Sequence, residues 1–391
     1  MRFPGFTDEW KECTIKDITK IEKGNGISKD QLSDEGDECI LYGELYTKYK
    51  SEIIDKVYSK TKIDSTKLIR SQTNDVIIPC SGETAEDIAT ARCVKKDGIL
   101  LGGDLNIMRF DKQDGAFMCY QLNGKRKYDI ARVAQGVSVV HLYTEHLKSI
   151  KVVLPELEEQ QSIVNLLSLI DQRIAIQNKI IDNLQSLIKG LIQHLICVGL
   201  DKGTWHNYRL SEVLQERNEM NKEYYPVHSV SVSVGIVNQV EYLGRSFAAK
   251  DTVHYHVVRY GDIVYTKSPT GNQPYGIIKQ SFCQNPVAVS PLYGVYDPIS
   301  FEIGNILHYY FLNPLNTNNY LLPLIQKGAK NTINITNHRF LENSIPLPIS
   351  NEEITSVSKT LSSLNSKIEL ENRALNTLLK ERQYLLNMLF I

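Results

Sequence analysis

Several short stretches of this chain approach motifs that carry chemistry, and each departs from its motif at a residue the chemistry needs. Lys23-Gly24-Asn25-Gly26-Ile27-Ser28-Lys29 has two glycines at the spacing of a nucleotide-cradling turn. Lys29 stands where the third glycine belongs, so a turn-forming loop is the better reading. Gln284-Asn285-Pro286-Val287 approaches the Asn/Asp-Pro-Pro-aromatic loop that holds a flipped base for amino methylation, but valine replaces the second proline. Gly124-Lys125 continues to Arg126, not to the Ser/Thr of a phosphate-binding loop. Glu9-x-Lys11 resembles the end of a nuclease metal motif, with only eight residues before it to supply the upstream acid. His254 and His256 flank Tyr255 at strand spacing and could face one metal ion, yet no third ligand is evident, and a surface pair is the better reading. No catalytic residues and no metal ligands are therefore assigned.

Bulk properties narrow the classes further. With 391 residues the chain exceeds what one hydrophobic core normally organises, and 42% apolar with 23% charged residues is the balance of a folded protein. Lys plus Arg total 44 and Asp plus Glu 45, a net charge of −1, so the whole chain has no electrostatic signature of a polyanion binder. A positive surface would need clustering on one face or a partner's field. The seven cysteines have no Cys-x-x-Cys pair and read as reduced thiols. The N-terminus lacks the apolar run of a signal peptide, and no stretch of about 18 apolar residues exists to cross a membrane, so a cytoplasmic protein is expected.

The elements that would position any site come from an internal repeat. Trp10, Ile15 and Ile18 recur as Trp205, Leu210 and Val213. Asn74-Asp75-Val76-Ile77 matches Gly261-Asp262-Ile263-Val264, and both read as buried strands. Gln135-Gly136-Val137 through Val153-Leu154-Pro155 parallels Lys327-Gly328-Ala329 through Pro346-Leu347-Pro348. A long helical pattern follows each proline-ended strand. In the first helix the seam is Ile163, Leu167, Ile170, Ile174, Gln177, Ile181, Leu184, Ile188, Leu191 and Leu195. In the second it is Val357, Leu361, Leu364, Ile368, Glu371, Leu375, Leu378, Arg382, Leu385 and Leu389. Alternating steps of four and three specify a coiled coil. Ser350 with Glu353 forms a capping box that starts the second helix, and Gly199 is expected to end the first.

The predicted class is α+β: two similar globular domains separated by two long antiparallel coiled-coil helices, with a pseudo-two-fold internal repeat. The boundaries are 1–155 and 200–348 for the modules, 156–199 for the central helix and 349–391 for the C-terminal helix. Gln177 and Glu371 occupy equivalent mid-helix seam positions and read as a polar layer that sets register, two tolerated polar substitutions being the alternative. At 1.5 Å per residue each seam spans roughly 50 Å, or roughly 15 base pairs of B-form DNA.

Together and in duplicate, these features resemble the specificity subunit of a type I restriction-modification system along the whole chain. The resemblance rests on the opening Arg2-Phe3-Pro4-Gly5-Phe6-Thr7-Asp8-Glu9-Trp10, on the two Asp-containing strands, on Leu154-Pro155-Glu156-Leu157-Glu158-Glu159-Gln160 and on the helix that follows. It implies that each module is a target-recognition domain reading one half of a bipartite, asymmetric double-stranded DNA site. It implies helices that set the spacing and dock methylation subunits, two copies, joined by two motor-nuclease restriction subunits. The chain would be non-catalytic, without a cofactor of its own. S-adenosylmethionine, ATP and magnesium would belong to the partners, which would methylate adenine and cut unmodified DNA. Related second modules often carry a Ser/Thr-Arg-Ser-Gly turn after the Asp-Ile-Val strand; here Tyr265-Thr266-Lys267-Ser268-Pro269 stands in its place, and the first module has Ile78-Pro79-Cys80-Ser81-Gly82. A non-DNA coiled-coil adaptor and a specificity subunit for a fused methylase-nuclease are the alternatives.

Phosphate contacts need cations, hydroxyls or free amides, and base readout needs forked polar side chains. In the first module the expected DNA-contacting residues are Tyr46, Lys48, Lys50, Lys60, Lys62, Ser81, Gly82, Glu83, Thr84, Lys125, Arg126 and Lys127. In the second they are Arg245, Lys250, Lys267, Ser268, Thr270, Asn272, Gln273, Lys327, Lys330, Asn331 and Thr332. Lys125-Arg126-Lys127 is singled out because three adjacent positive charges repel unless a partner neutralises them. Asn272-Gln273 is the candidate for base readout.

Overall fold

The computed structural model describes residues 2–64, 66–136, 138–245, 249, 251–267, 270–327 and 333–390. Two helices dominate it, Leu157–Lys202 and Asn351–Leu389. Every predicted seam position on them is buried or half-buried, from Ile163 and Leu361, both fully covered, to Gln177 and Glu371. The seam is a property of local sequence spacing, and the fold uses it.

The helix ends are less simple. Ser350 Oγ accepts the amide of Glu353 at 3.2 Å, which is half of the expected capping box. The other half is absent, because the Glu353 carboxylate instead accepts the indole N–H of Trp205 at 2.7 Å. Gly199 does not end the first helix. It lies inside the last turn, and Gly203, with φ +70°, takes the left-handed position beyond Lys202. The amide of Thr204 donates to the Gly199 carbonyl at 2.9 Å and that of Gly203 to Leu200 at 3.2 Å, the paired bonds of a Schellman cap. Gly199 is a glycine for packing: a Cβ there would sit 1.9 Å from Trp205 Cδ1.

The chain divides into two compact units, residues 1–178 with 374–391, and residues 179–373. In the first, Lys11–Thr14 pairs antiparallel with Lys151–Leu154. A five-stranded sheet runs Thr19–Lys23, Leu105–Phe110, Asp75–Pro79, Arg92–Val94, Ile53–Ile54, with the fully buried Asp75–Pro79 strand at its centre. A four-stranded sheet holds Leu100–Leu101, Asp37–Ile40, Ser59–Thr61 and Leu32–Ser33. Helix Gly115–Asn123 packs on the five-stranded sheet. Its Phe117 meets Trp10 at 5.8 Å and Phe390 at 5.2 Å. Ile163, Val164 and Leu167 share one core with Leu386, Leu389 and Phe390, so the start of the first long helix lies against the end of the second, antiparallel.

In the second unit Trp205–Arg209 pairs antiparallel with Ser344–Pro348. A four-stranded sheet runs Leu214–Glu216, Gly294–Pro298, Ile263–Thr266, Ile277–Gln280, with helix Phe301–Tyr310 on it. The duplication read in the sequence extends to hydrogen bonds. Asn74 and Gly261 both have positive φ, +81° and +93°. The aspartate after each accepts the amide three residues back, Gln72 to Asp75 at 2.8 Å and Arg259 to Asp262 at 2.7 Å. Burial raises both carboxyls above their usual range, against the opposing pull of Arg109 on one and Arg217 on the other. Trp10 donates to Glu159 at 3.2 Å as Trp205 does to Glu353, each tying a module's first strand to the first turn of the helix that leaves it.

Candidate nucleic-acid interface

The central strand of the first module ends at Pro79 and delivers Ser81–Gly82 to a short antiparallel pair with Val140–His141. Tyr46 Oη donates to the Ser81 carbonyl at 3.0 Å, and Ser81 Oγ lies 3.2 Å from His141 Nδ1. Gly82 is pressed between Tyr46 and Ile88, where a Cβ would come within 3.1 Å of the phenol oxygen. Thr84 caps helix Ala85–Ile88, accepting the Asp87 amide at 3.1 Å, and Glu83 beside it is exposed. Tyr46, Ser81, Gly82, Glu83 and Thr84 thus form one cluster beyond the end of the central strand. His141 joins it and was missed by the sequence reading, since only strand pairing brings residue 141 beside residue 81. Hydroxyls and an imidazole on a short strand pair suit hydrogen bonding to phosphate oxygens or base edges.

The lysines of this module divide. Lys48 Nζ is held by Glu44 at 2.7 Å and Ser59 at 2.6 Å, with Glu44 itself buried, so its charge is spent inside the module. Lys50 reaches the Tyr46 carbonyl at 3.3 Å and, with Lys48, Lys56 and Tyr58, lines a cleft of about 420 Å³. Lys60 is exposed, and Lys62 pairs with Glu35 at 2.7 Å. Lys125-Arg126-Lys127 forms the turn between helices Gly115–Asn123 and Lys127–Val133. Its charges are not left to repel. Arg126 folds onto Asp129 at 3.5 Å and is largely covered, Lys127 is half-exposed, and Lys125 alone of the three is exposed.

In the second module Thr270 and Gln273 exchange backbone hydrogen bonds of 3.1 and 3.0 Å, which places exposed Asn272 at the tip of a tight turn. Gln273 is separated from it, 4% exposed, with its Oε1 buried and without a hydrogen-bond partner among the described residues. Of the expected pair Asn272-Gln273 only Asn272 is accessible, because the turn points its neighbour inward. Lys267 is half-buried, and that burial lowers its ammonium pKa. Arg245 is exposed just past the helix Gln239–Leu243. Lys250, Ser268, Lys330, Asn331 and Thr332 lie outside the described residues, as does the side chain of Lys327, whose backbone pairs with Ile333. His256 Nδ1 lies 3.1 Å from the Tyr293 carbonyl. Among the described residues no three His, Cys, Asp or Glu side chains are grouped to hold a metal, and no helix is long and apolar enough to cross a membrane.

Residues 7–186 match the family model for the type I restriction modification DNA specificity domain. A curated relative, the type I restriction enzyme MjaVIII specificity subunit of Methanocaldococcus jannaschii, is 29% identical over 195 residues, which is 49% of this chain and 43% of the relative. The match therefore spans less than half of that protein's length. Among solved structures, the type I restriction-modification system S subunit from M. genitalium aligns over 100% of this chain and 99% of its own, with TM-score 0.60 and 16% identity. A chain from a structure of complex assembly and conformational transition in a type I R-M system covers 97% of both, with TM-score 0.52 and 14% identity. The specificity-domain match covers the first module and the helix that follows it, and along its whole length the chain shares the fold of the S-subunit structure.

Proposed function

We propose that this chain is the non-catalytic DNA sequence-specificity subunit of a type I restriction-modification complex. Modules 1–155 and 200–348 each read one half of a bipartite, asymmetric duplex site. The helical segments 156–199 and 349–391 hold the halves at a fixed spacing and dock two methylation subunits, to which two motor-nuclease subunits add. S-adenosylmethionine, ATP and magnesium belong to those partners, and the complex works in the cytoplasm, where the DNA is.

The observation that carries this reading is the duplicated anchor, Trp10 on Glu159 and Trp205 on Glu353, which ties two related modules to two long helices. A split recognition site requires two readers, and the anchored module occurs twice in this chain. Docking is supported by apolar side chains the helices leave exposed: Leu169 and Ile176 in the first unit, Ile180, Leu187 and Leu370 in the second. They lie outside the buried seam, and an exposed apolar stripe suits a partner. Partner subunits would also supply positive field that a chain of net charge −1 lacks.

The test is co-expression with a methylation subunit and sequencing of the host DNA for methylated adenines. A single bipartite motif, two short specific halves around a fixed gap, is expected. A stable complex that writes no methylation would overturn the reading in favour of an adaptor.

A further inference from the structure

The two long helices repeat at an offset of 194 residues, and at one seam position the repeat breaks chemically. Ile188 is apolar and buried, 2% exposed. Its counterpart is Arg382. The guanidinium of Arg382 bridges two carboxylates, Nε to Asp171 on the first long helix and an Nη to Glu52 in the first module. All three are largely covered, with side chains 20%, 14% and 10% exposed.

Each carboxylate leads further into the module. Asp171 accepts Tyr120 Oη at 2.7 Å, from the helix that packs on the five-stranded sheet. The Glu52 carbonyl accepts the Cys93 amide at 2.7 Å, and Glu52 immediately precedes the sheet's edge strand Ile53–Ile54. That sheet carries the strand Asp75–Pro79, which delivers the Ser81–Gly82 cluster. The first module is fastened near the start of the first long helix by Trp10 on Glu159, by Gln160 on Asp114 and Gln113, and by the core that Ile163, Val164 and Leu167 share with Phe117 and Phe390. The forked arginine adds an attachment further along that helix, at Asp171, and its planar geometry fixes direction as well as distance.

Resting on the specificity reading above, we propose that Arg382, acting through Asp171 and Glu52, is a positioning residue that fixes the angle of the first module on its helices. It thereby restricts the complex to a single gap length. The second module has Ile188 at the equivalent position and cannot form this bridge, so the restriction is built into one half of the molecule.

Two variants test it in the full complex with methylation subunits: R382I, which installs the residue the repeat carries, and the triple variant E52Q/D171N/R382I, which also removes the two charges that R382I leaves buried. Methylated adenines are mapped at the wild-type motif and at motifs whose gap is one base pair longer or shorter. Both variants are expected to keep both half-sites and to raise methylation at the altered gaps by about tenfold or more, the effect of losing one charge-assisted contact. Gap selectivity as strict as wild type in the triple variant would overturn the proposal. So would R382I losing all methylation while the triple variant remains strict, since unpaired charge and not lost positioning would then explain the defect. If wild type itself writes no bipartite motif, the specificity reading fails first.

Discussion

Gly199 and Gly190 lie in the same helix and should respond to alanine with opposite signs. An alanine at Gly190 meets nothing within 4 Å, so Gly190→Ala gains helix propensity alone, about 1 kcal/mol. An alanine Cβ at Gly199 would sit 1.9, 2.3 and 2.5 Å from Trp205 Cδ1, Cγ and Nε1, so the indole must move. Trp205 is 3% exposed and donates to Glu353 at 2.7 Å, and both relationships are lost together. Overpacking costs about 1–3 kcal/mol and a hydrogen bond to a carboxylate about 1.5–3, against the same gain of about 1, for a net loss of about 1.5–5 kcal/mol. Urea unfolding followed by tryptophan emission, in a Trp10→Phe background so that Trp205 alone reports, measures both variants. Gly199→Ala as stable as its parent, or Gly190→Ala less stable, would refute the packing argument.

Three further outcomes follow from the structure. Burial pushes the His308 imidazole down to about 3, with Lys279 adding to the effect, while its Nδ1 accepts the Gln280 amide at 3.0 Å. A folded value below the unfolded 6.5 means that this stability is complete above pH 6.5 and is lost as pH falls beneath it. Wild type should lose about 1–2 kcal/mol by pH 5 that His308→Gln does not, read by urea unfolding at pH 7 and pH 5. Lys125→Ala should flatten the salt dependence of DNA binding by about 0.9 in the log–log slope, measured by fluorescence anisotropy, and Arg126→Ala should add little because Asp129 already holds that guanidinium. Asn272→Ala should change the preferred bases of one half-site in methylation sequencing. Gln273→Ala should lower stability and leave those bases alone.

The parts of the fold legible in the sequence are those whose cause is local. A seam every three and four residues dictates burial along a helix whatever surrounds it, and the repeated Trp, Asn/Gly-Asp and Pro positions returned as the same strands and turns. Gly199 was misread because a glycine near a helix end serves either a left-handed cap or a close approach. The deciding group, Trp205, is placed by the Schellman cap at Gly203. The candidate interface was less legible for a related reason. Whether a lysine is available depends on which carboxylate folding brings to it, as Glu44 meets Lys48 and Glu35 meets Lys62. The Arg126–Asp129 pair has a local cause, three residues apart on a helical turn, and the reading of Lys125-Arg126-Lys127 as three unneutralised charges overlooked it. His141 beside Ser81 was not.

The central claim, that each module reads its own half-site, is tested most directly by exchanging one of them. Residues 200–348 are replaced by the corresponding module of another specificity subunit, the hybrid is expressed with the same methylation subunits, and methylated adenines are sequenced. The account predicts one half-site changed, with the other half and the gap retained. An unchanged motif, or one altered in both halves at once, would contradict it.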